Sequence, residues 1–305
     1  MTTPIVSVLI PTWNRARLVQ DAVASALGQT LEDLEVVVVV DGSTDGTADV
    51  LRARFDDPRL RILEQTNTGL SGARNAGIDA ARGTYIALLD DDDRCLPERL
   101  AQQVRALDEH PEAALCLADA AYEGVAGVVT GTLHGQPDYR PPDSLRAMFE
   151  GAWTLPSVML FRASVLRALR FDPSIRCQED TDLLFRFHRG GHGVVSVDTP
   201  LVRYATVAVE GGGRISERRA EMDEAYARIY VRHWDEVDAA ARARIRPPAH
   251  VSRRLARFHA DRGEWERAAQ WWFACWRARP WRVRPLLRGL RCRAAARGAA
   301  TSPRS

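Results

Sequence analysis

The sequence predicts a doubly wound, mostly parallel α/β sheet flanked by helices, followed by a smaller α-helical extension. Three observations carry that expectation. Apolar, strand-like runs alternate four times with segments of helical spacing between Ile5 and Leu89, the pattern of successive β-α units in one parallel sheet. The runs are apolar almost throughout, as in Leu34 to Val40, which suits strands covered on both faces. From about Ala220 the texture changes to Arg- and Ala-rich segments with many tryptophans.

Taken in order, Ile5 to Ile10 is a β-branched run closed by Pro11, and Arg17 to Leu27 places Leu18, Val19, Ala22, Val23, Ala26 and Leu27 at helical spacing. The second strand, Leu34 to Val40, ends in Asp41-Gly42-Ser43-Thr44-Asp45-Gly46, a turn into a helix. Leu60 to Leu63 is a third strand. Ser71 to Ala81 reads as a helix with Gly69 and Gly72 at its entrance and Gly83 past its end. Tyr85 to Leu89 is a fourth strand, Pro97 to Glu109 a helix and Ala113 to Ala121 a strand. Tyr122 to Asp143, rich in Gly and Pro, is expected to be irregular. A strand over Ser157 to Phe161, helices from Ala163 and Glu179, and short strands at Val194 to Val197 and Leu201 to Tyr204 complete this part. Glu210 to Arg214 reads as a mobile loop. The expected division is 1–219 for the α/β domain, 220–296 for helices holding one tetratricopeptide-like hairpin, and 297–305 for a disordered tail.

Composition narrows the function. The chain has 305 residues, 46% of them hydrophobic and 27% charged, an ordinary globular composition. Its formal net charge of +2 argues neither for nor against a nucleic-acid partner, and none is expected. Every basic residue is Arg, which removes lysine-dependent chemistry such as a Walker-type phosphate loop or a Schiff base. Cys95, Cys116, Cys177, Cys275 and Cys292 are odd in number and widely spaced, which argues for a reducing compartment over a disulfide framework or a zinc site. Met1 runs almost directly into a strand pattern, and no apolar run approaches the roughly 20 residues of a membrane span. A cytoplasmic location is expected, with a peripheral position at the inner face of the membrane as the alternative.

The chemistry concentrates in Asp90-Asp91-Asp92-Asp93, delivered by the fourth strand. Four adjacent carboxylates at a strand end are costly without a cation, and a divalent metal sharing a phosphorylated ligand is the simplest compensation. A solvated acidic loop near a helix N-terminus is the bland alternative. In a doubly wound sheet, Pro11-Thr12-Trp13-Asn14, Asp41-Gly42-Ser43 and Asp90 to Asp93 all fall at carboxyl ends of strands, where such sheets bind ligands. Asp41 to Gly46 is set aside as a calcium loop because Arg52 stands where Glu would be needed. Trp265, Trp271, Trp272, Trp276 and Trp281 suit packing better than a sugar platform.

Five motifs in order resemble the inverting family 2 glycosyltransferases with the GT-A nucleotide-sugar fold. They are Val6 to Arg15, Val39 to Thr47, Asn67 to Gly77, Leu89 to Asp93 and Gln178 to Leu183. The resemblance spans about residues 4 to 205 and divides the first domain into a nucleotide-sugar half, 1–97, and an acceptor half, 98–219. It implies a base pocket around Pro11, Thr12 and Trp13, a base-edge contact from Asp41, and Arg74 near the diphosphate or base. Asp90 and Asp91 would approach ribose and sugar, Asp92 would be the metal aspartate of the DxD motif holding Mn²⁺ or Mg²⁺, and Asp180 the general base. The implied partners are a nucleotide diphosphate sugar, UDP-linked by preference, and a hydroxyl-bearing glycan, lipid-linked or small-molecule acceptor. Membrane or protein contact through the C-terminal helices, and a homodimer, stay open. Departures are Val40 where an acid is common, Trp13 where Tyr or Phe is usual, and no histidine near Glu210 to Ser216. A sugar-1-phosphate nucleotidyltransferase would want a glycine-rich phosphate loop in place of Pro11-Thr12-Trp13-Asn14. A nucleotide-sugar-binding scaffold without catalysis would not need Asp92 and Asp180 together.

Overall fold

A computed structural model of the chain describes residues 3–124, 127–136, 139–206 and 219–301. The Glu210 to Ser216 stretch and the last four residues therefore lie outside the described residues. Packing divides the chain into two compact units, one of Met1–Ser144 with Trp153–Glu217 and one of Leu145–Ala152 with Arg218–Ser305.

The first unit is built on a nine-stranded sheet. Its parallel half has the order β3-β2-β1-β4, with β1 at Val6–Thr12, β2 at Leu34–Asp41, β3 at Leu60–Gln65 and β4 at Tyr85–Leu88. β1 and β2 are buried at every residue, which is why their sequences show no alternation. The register sets Thr12 beside Val40 and Leu9 beside Leu88, so Asp41 and Asp90 leave the sheet level with the end of β1. Beyond β4 the sheet becomes mixed. β5 (Arg94–Cys95), β6 (Ala113–Glu123), β7 (Val129–Thr132), β8 (Met159–Arg162) and β9 (Gly193–Ala205) follow. β8 is antiparallel to both β4 and β6, and β9 is parallel to β6 but antiparallel to β5.

Two stretches differ from the sequence reading. β7 lies within the Gly- and Pro-rich segment expected to be irregular, paired antiparallel with Ala121 to Glu123; its partly exposed edge position needs no apolar alternation. β9 joins the two expected short strands, and register shifts around Ala118 to Ala120 absorb the intervening Asp198-Thr199-Pro200.

Helices α1 (Val19–Leu27), α2 (Thr47–Arg54), α3 (Gly69–Ala80) and α4 (Arg99–Glu109) connect these strands, and α6 (Ala163–Leu169) and α7 (Glu179–Arg189) follow after α5 (Leu145–Phe149) of the second unit. α3 packs closely on β1 at Gly77, where an added Cβ would lie 1.8 Å from Leu9 Cδ1. Leu9 is fully buried and has no room to yield. Gly77→Ala is expected to cost about 1–3 kcal/mol through overpacking. Urea titration should show a lower midpoint at unchanged slope.

The second unit contains α5, α8 (Arg219–Glu236), α9 (Ala239–Arg244), α10 (Ala249–Ala260), α11 (Trp265–Ala278) and α12 (Val283–Thr301). Its core is aromatic: the Tyr230 ring lies 5.1 Å from that of Phe149 and 5.9 Å from those of Trp234 and Trp271. The Tyr230 hydroxyl donates to the Phe149 carbonyl at 2.8 Å, which pairs the buried polar end of the ring. α10 and α11 form a hairpin turning at Gly263, whose φ of +72° suits a residue without Cβ. Trp271 and Trp272 are buried, as packing residues should be. α12 continues through Arg297 to Thr301, where the sequence suggests disorder.

Candidate functional site

Three chain reversals meet at the carboxyl edge of the parallel half-sheet. After β1, Thr12 is buried and Trp13 is 55% exposed, its ring free for a flat ligand. Asn14 turns the chain with φ at +51°, a conformation Asn tolerates. Its backbone N–H donates to Ser43 Oγ at 2.9 Å, and its side-chain oxygen accepts from the Thr44 N–H at 2.7 Å. The loops after β1 and β2 are thereby locked to each other.

Asp41, at the end of β2, is buried and saturated on one oxygen. Oδ1 accepts from Gln65 Nε2 at 2.7 Å and the Thr68 N–H at 2.8 Å, and Oδ2 accepts from the Gly69 N–H at 2.9 Å. It thus satisfies the free amides at the start of α3. Oδ2 accepts this one hydrogen bond and keeps a further lone pair. Gly42 beside it has φ at +72°, and an added Cβ would meet the Asn67 nitrogen at 2.7 Å, so only glycine fits this turn.

The four aspartates after β4 have four different surroundings. Asp90 accepts from Arg74 at 2.7 Å. Asp91 is buried and accepts from Thr12 Oγ1 at 2.7 Å and from Arg15 at 2.8 Å. Burial pushes its carboxyl up to about 6, with Arg15 opposing and Asp92 adding to the rise. Asp92 lies 3.3 Å from the same Arg15 nitrogen. Asp93 is buried, accepting from Ser157 Oγ at 2.6 Å and from the Ala205 N–H at 3.3 Å. α4 starts only at Arg99 with Glu98 before it, so Asp93 does not cap that helix. Asp93 instead ties the loop to the turn before β8 and to the end of β9, and burial with Asp92 and Asp90 nearby holds it well above the usual carboxylate range.

Arg74, on α3, joins this loop to the later acidic motif. Its guanidinium is buried at 1% exposure, bonds Asp90 and Glu179, and lies over the Phe171 ring at 5.2 Å. Its Nε has no hydrogen-bond partner among the described residues. Glu179 therefore spends its carboxylate on Arg74. Asp180, the next residue on α7, is half-buried and accepts from the Thr181 N–H at 2.8 Å. Burial pushes its carboxyl up to about 7; Glu179 and Asp90 add to the rise and Arg74 opposes it. The structure thus holds a network of two adjacent clusters, Thr12, Arg15, Asp91 and Asp92 in one and Asp90, Arg74 and Glu179 in the other. Asp180 follows Glu179 on α7 and interacts with Arg74 and Asp90 through charge. Asp41 lies at the end of β2, bonded to the start of α3.

Sequence reasoning missed Arg15 and Glu179 as members of this network. Arg15 closes the Val6 to Arg15 motif just after β1, and its position at the sheet edge was the available signal. No sequence spacing announces a bond between Arg74 and Glu179, which are 105 residues apart.

Among the described residues Arg15 contacts Asp91 and Asp92, and Arg74 contacts Asp90 and Glu179. Among the described residues no group of three His, Cys, Asp or Glu side chains could hold a metal ion by itself. Asp92 supplies one hard oxygen donor, which fits Mn²⁺ or Mg²⁺ only when phosphate oxygens and water complete the shell.

Comparisons with known proteins bear on the family and the fold. The profile described as "Glycosyl transferase family 2" matches residues 7–173. The putative glycosyltransferase EpsH of Bacillus subtilis (strain 168) is 31% identical over 216 residues, covering 67% of this chain and 61% of EpsH. Chondroitin synthase of Pasteurella multocida (strain Pm70) is 45% identical over 96 residues, 31% of this chain and 10% of the synthase. The chain therefore spans under two-thirds of the length of either relative. Among solved structures, S. aureus TarS 1-349 in complex with UDP-GlcNAc superposes with a TM-score of 0.62 at 20% identity, over 95% of this chain and 87% of that one. Mannosyltransferase PcManGT from Pyrobaculum calidifontis, in complex with GDP-Man and Mn²⁺, gives 0.57 at 20% identity, over 100% and 77%. At these identities the two structures support the fold.

Proposed function

The chain belongs to glycosyl transferase family 2, and on that premise we propose that it is a metal-dependent, inverting glycosyltransferase. It moves a sugar from a nucleotide diphosphate sugar, UDP-linked by preference, to an acceptor hydroxyl by direct displacement. The observation that carries the reading is the Arg74 bridge, which couples Asp90 of the donor edge to Glu179, the neighbour of Asp180. A donor-binding carboxylate loop and a candidate base are thereby held in one framework, as a single displacement requires.

In this reading Trp13 stacks on the base and the free acceptor site of Asp41 receives a ring N–H. Asp90 and Asp91 bind donor hydroxyls, with Thr12 and Arg15 fixing Asp91. Asp92 would hold a divalent ion together with the donor phosphates, and that ion would supply charge neutralisation for the departing diphosphate. Asp180 accepts the acceptor's hydroxyl proton on the face opposite the leaving group, so the anomeric centre inverts without a covalent intermediate. Arg74 keeps Asp90 and Glu179 in place from behind.

The donors bound in the TarS and PcManGT structures, UDP-GlcNAc and GDP-Man, define the first compounds to screen. Thermal-shift measurements with and without Mn²⁺ should show stabilisation by one nucleotide sugar only with the metal. Saturation at about 100 times Kd corresponds to roughly 2.7 kcal/mol. Asp92→Ala should abolish the Mn²⁺-dependent part. A screen in which no nucleotide sugar stabilises the protein under either condition contradicts the reading.

A further inference from the structure

We propose that α12, with the Trp281 segment leading into it, is a docking surface for an anionic lipid bilayer. The proposal concerns the second unit alone and stands independently of sugar transfer.

The helix is apolar on the side facing away from its own unit. Among the residues of α12 whose burial is described, Gly289 and Cys292 are the buried ones, and an added Cβ at Gly289 would meet the Phe273 ring at 3.0 Å, so this side packs on α11. Val283, Leu287 and Leu290 follow at i, i+4 and i+7, one stripe of a helix, and are 50–56% exposed. Trp281, immediately before them, is 74% exposed. A helix serving only as the outer layer of its unit would place polar residues on that stripe.

The surroundings of the stripe select the partner. Arg284, Arg288 and Arg291 border it on one side and Arg293 on the other, by helical spacing. From Arg267 to Ser305 the chain contains ten arginines and no acidic residue. Such a surface attracts anions, and a second copy of the same face would bring like charges together. A nucleic acid would use the arginines but offers nothing for an aliphatic strip. An anionic membrane satisfies both parts: acyl chains receive Leu287, Leu290 and Trp281, while arginines meet the headgroups. Arg288 stacks at 4.9 Å on Trp272 and Arg293 at 4.4 Å on Phe273, which holds these two side chains on a fixed aromatic base. Among the described residues no helix is long and apolar enough to cross a membrane, so α12 lies on the surface.

Flotation of the full chain with vesicles tests this. Vesicles of phosphatidylcholine containing roughly a third phosphatidylglycerol should carry the protein, and pure phosphatidylcholine should not. Leu287→Ser with Leu290→Ser should reduce binding about tenfold or more, and Arg284→Glu with Arg291→Glu should do the same at low salt. Circular dichroism should be unchanged, because all four side chains are exposed. Failure of the wild-type chain to float with anionic vesicles overturns the proposal. So does unchanged flotation of the Leu variant, which would leave a purely ionic contact of the kind a nucleic acid also makes. Concentration-dependent dimers abolished by the Leu variant, without vesicle binding, would assign the face to a second copy instead.

Discussion

Asp180→Asn is expected to lower sugar transfer by about 10²–10⁴-fold, the usual contribution of a positioned general base, with donor binding retained. The amide keeps the shape and the bond from the Thr181 N–H but cannot accept a proton. The pH dependence follows from the same group. Burial raises Asp180 to about 7, and a base works only when deprotonated. Activity is therefore present above about pH 7 and is lost as pH falls through it, by about tenfold per unit in kcat/KM on the acid limb. A pH-independent rate from 5 to 8, or full activity in Asp180→Asn, would remove Asp180 from the role.

Arg74→Leu is expected to be the most destabilising single change in the first unit, by about 3–5 kcal/mol. That is the usual cost of leaving buried partners of an ion pair uncompensated. Glu179 is almost fully buried, whereas the Asp90 side chain is 30% exposed and can partly turn to water. Most of the loss should therefore come from Glu179. Arg74→Leu combined with Glu179→Leu should recover part of it, and the non-additivity measures the coupling. Arg74 also opposes the rise of Asp180, so in Arg74→Gln the acid limb of the pH profile should move upward. Denaturant titration of the four proteins in the cycle, with a pH profile of Arg74→Gln, reads both effects.

Much of this fold was legible because its first ninety or so residues alternate cleanly between buried strands and helices. β1 to β4 and the helices between them lie close to where hydrophobic pattern puts them. Past β4 the signals weaken for physical reasons. β7 is a partly exposed edge strand of four residues, short of alternating contacts with a core. β9 contains Pro200 and irregular pairing, which reads as a break in sequence although the strand continues. At the site, residues at strand ends were legible and ion pairs across long separations were not. Arg15 and Glu179 enter through contacts that only tertiary packing creates. The partners of Asp93, Ser157 and Ala205, lie 64 and 112 residues away, so no local signal announces them.

Titration calorimetry of the preferred nucleotide sugar against the wild-type chain, Asp92→Ala and Asp180→Asn, each with and without Mn²⁺, tests the central claim most directly. The expected result is Mn²⁺-dependent binding to the wild-type chain, loss of that dependence in Asp92→Ala, and near-normal binding to an inactive Asp180→Asn. Equal binding to all three proteins irrespective of Mn²⁺, or no binding to any, would contradict a donor site built on these carboxylates.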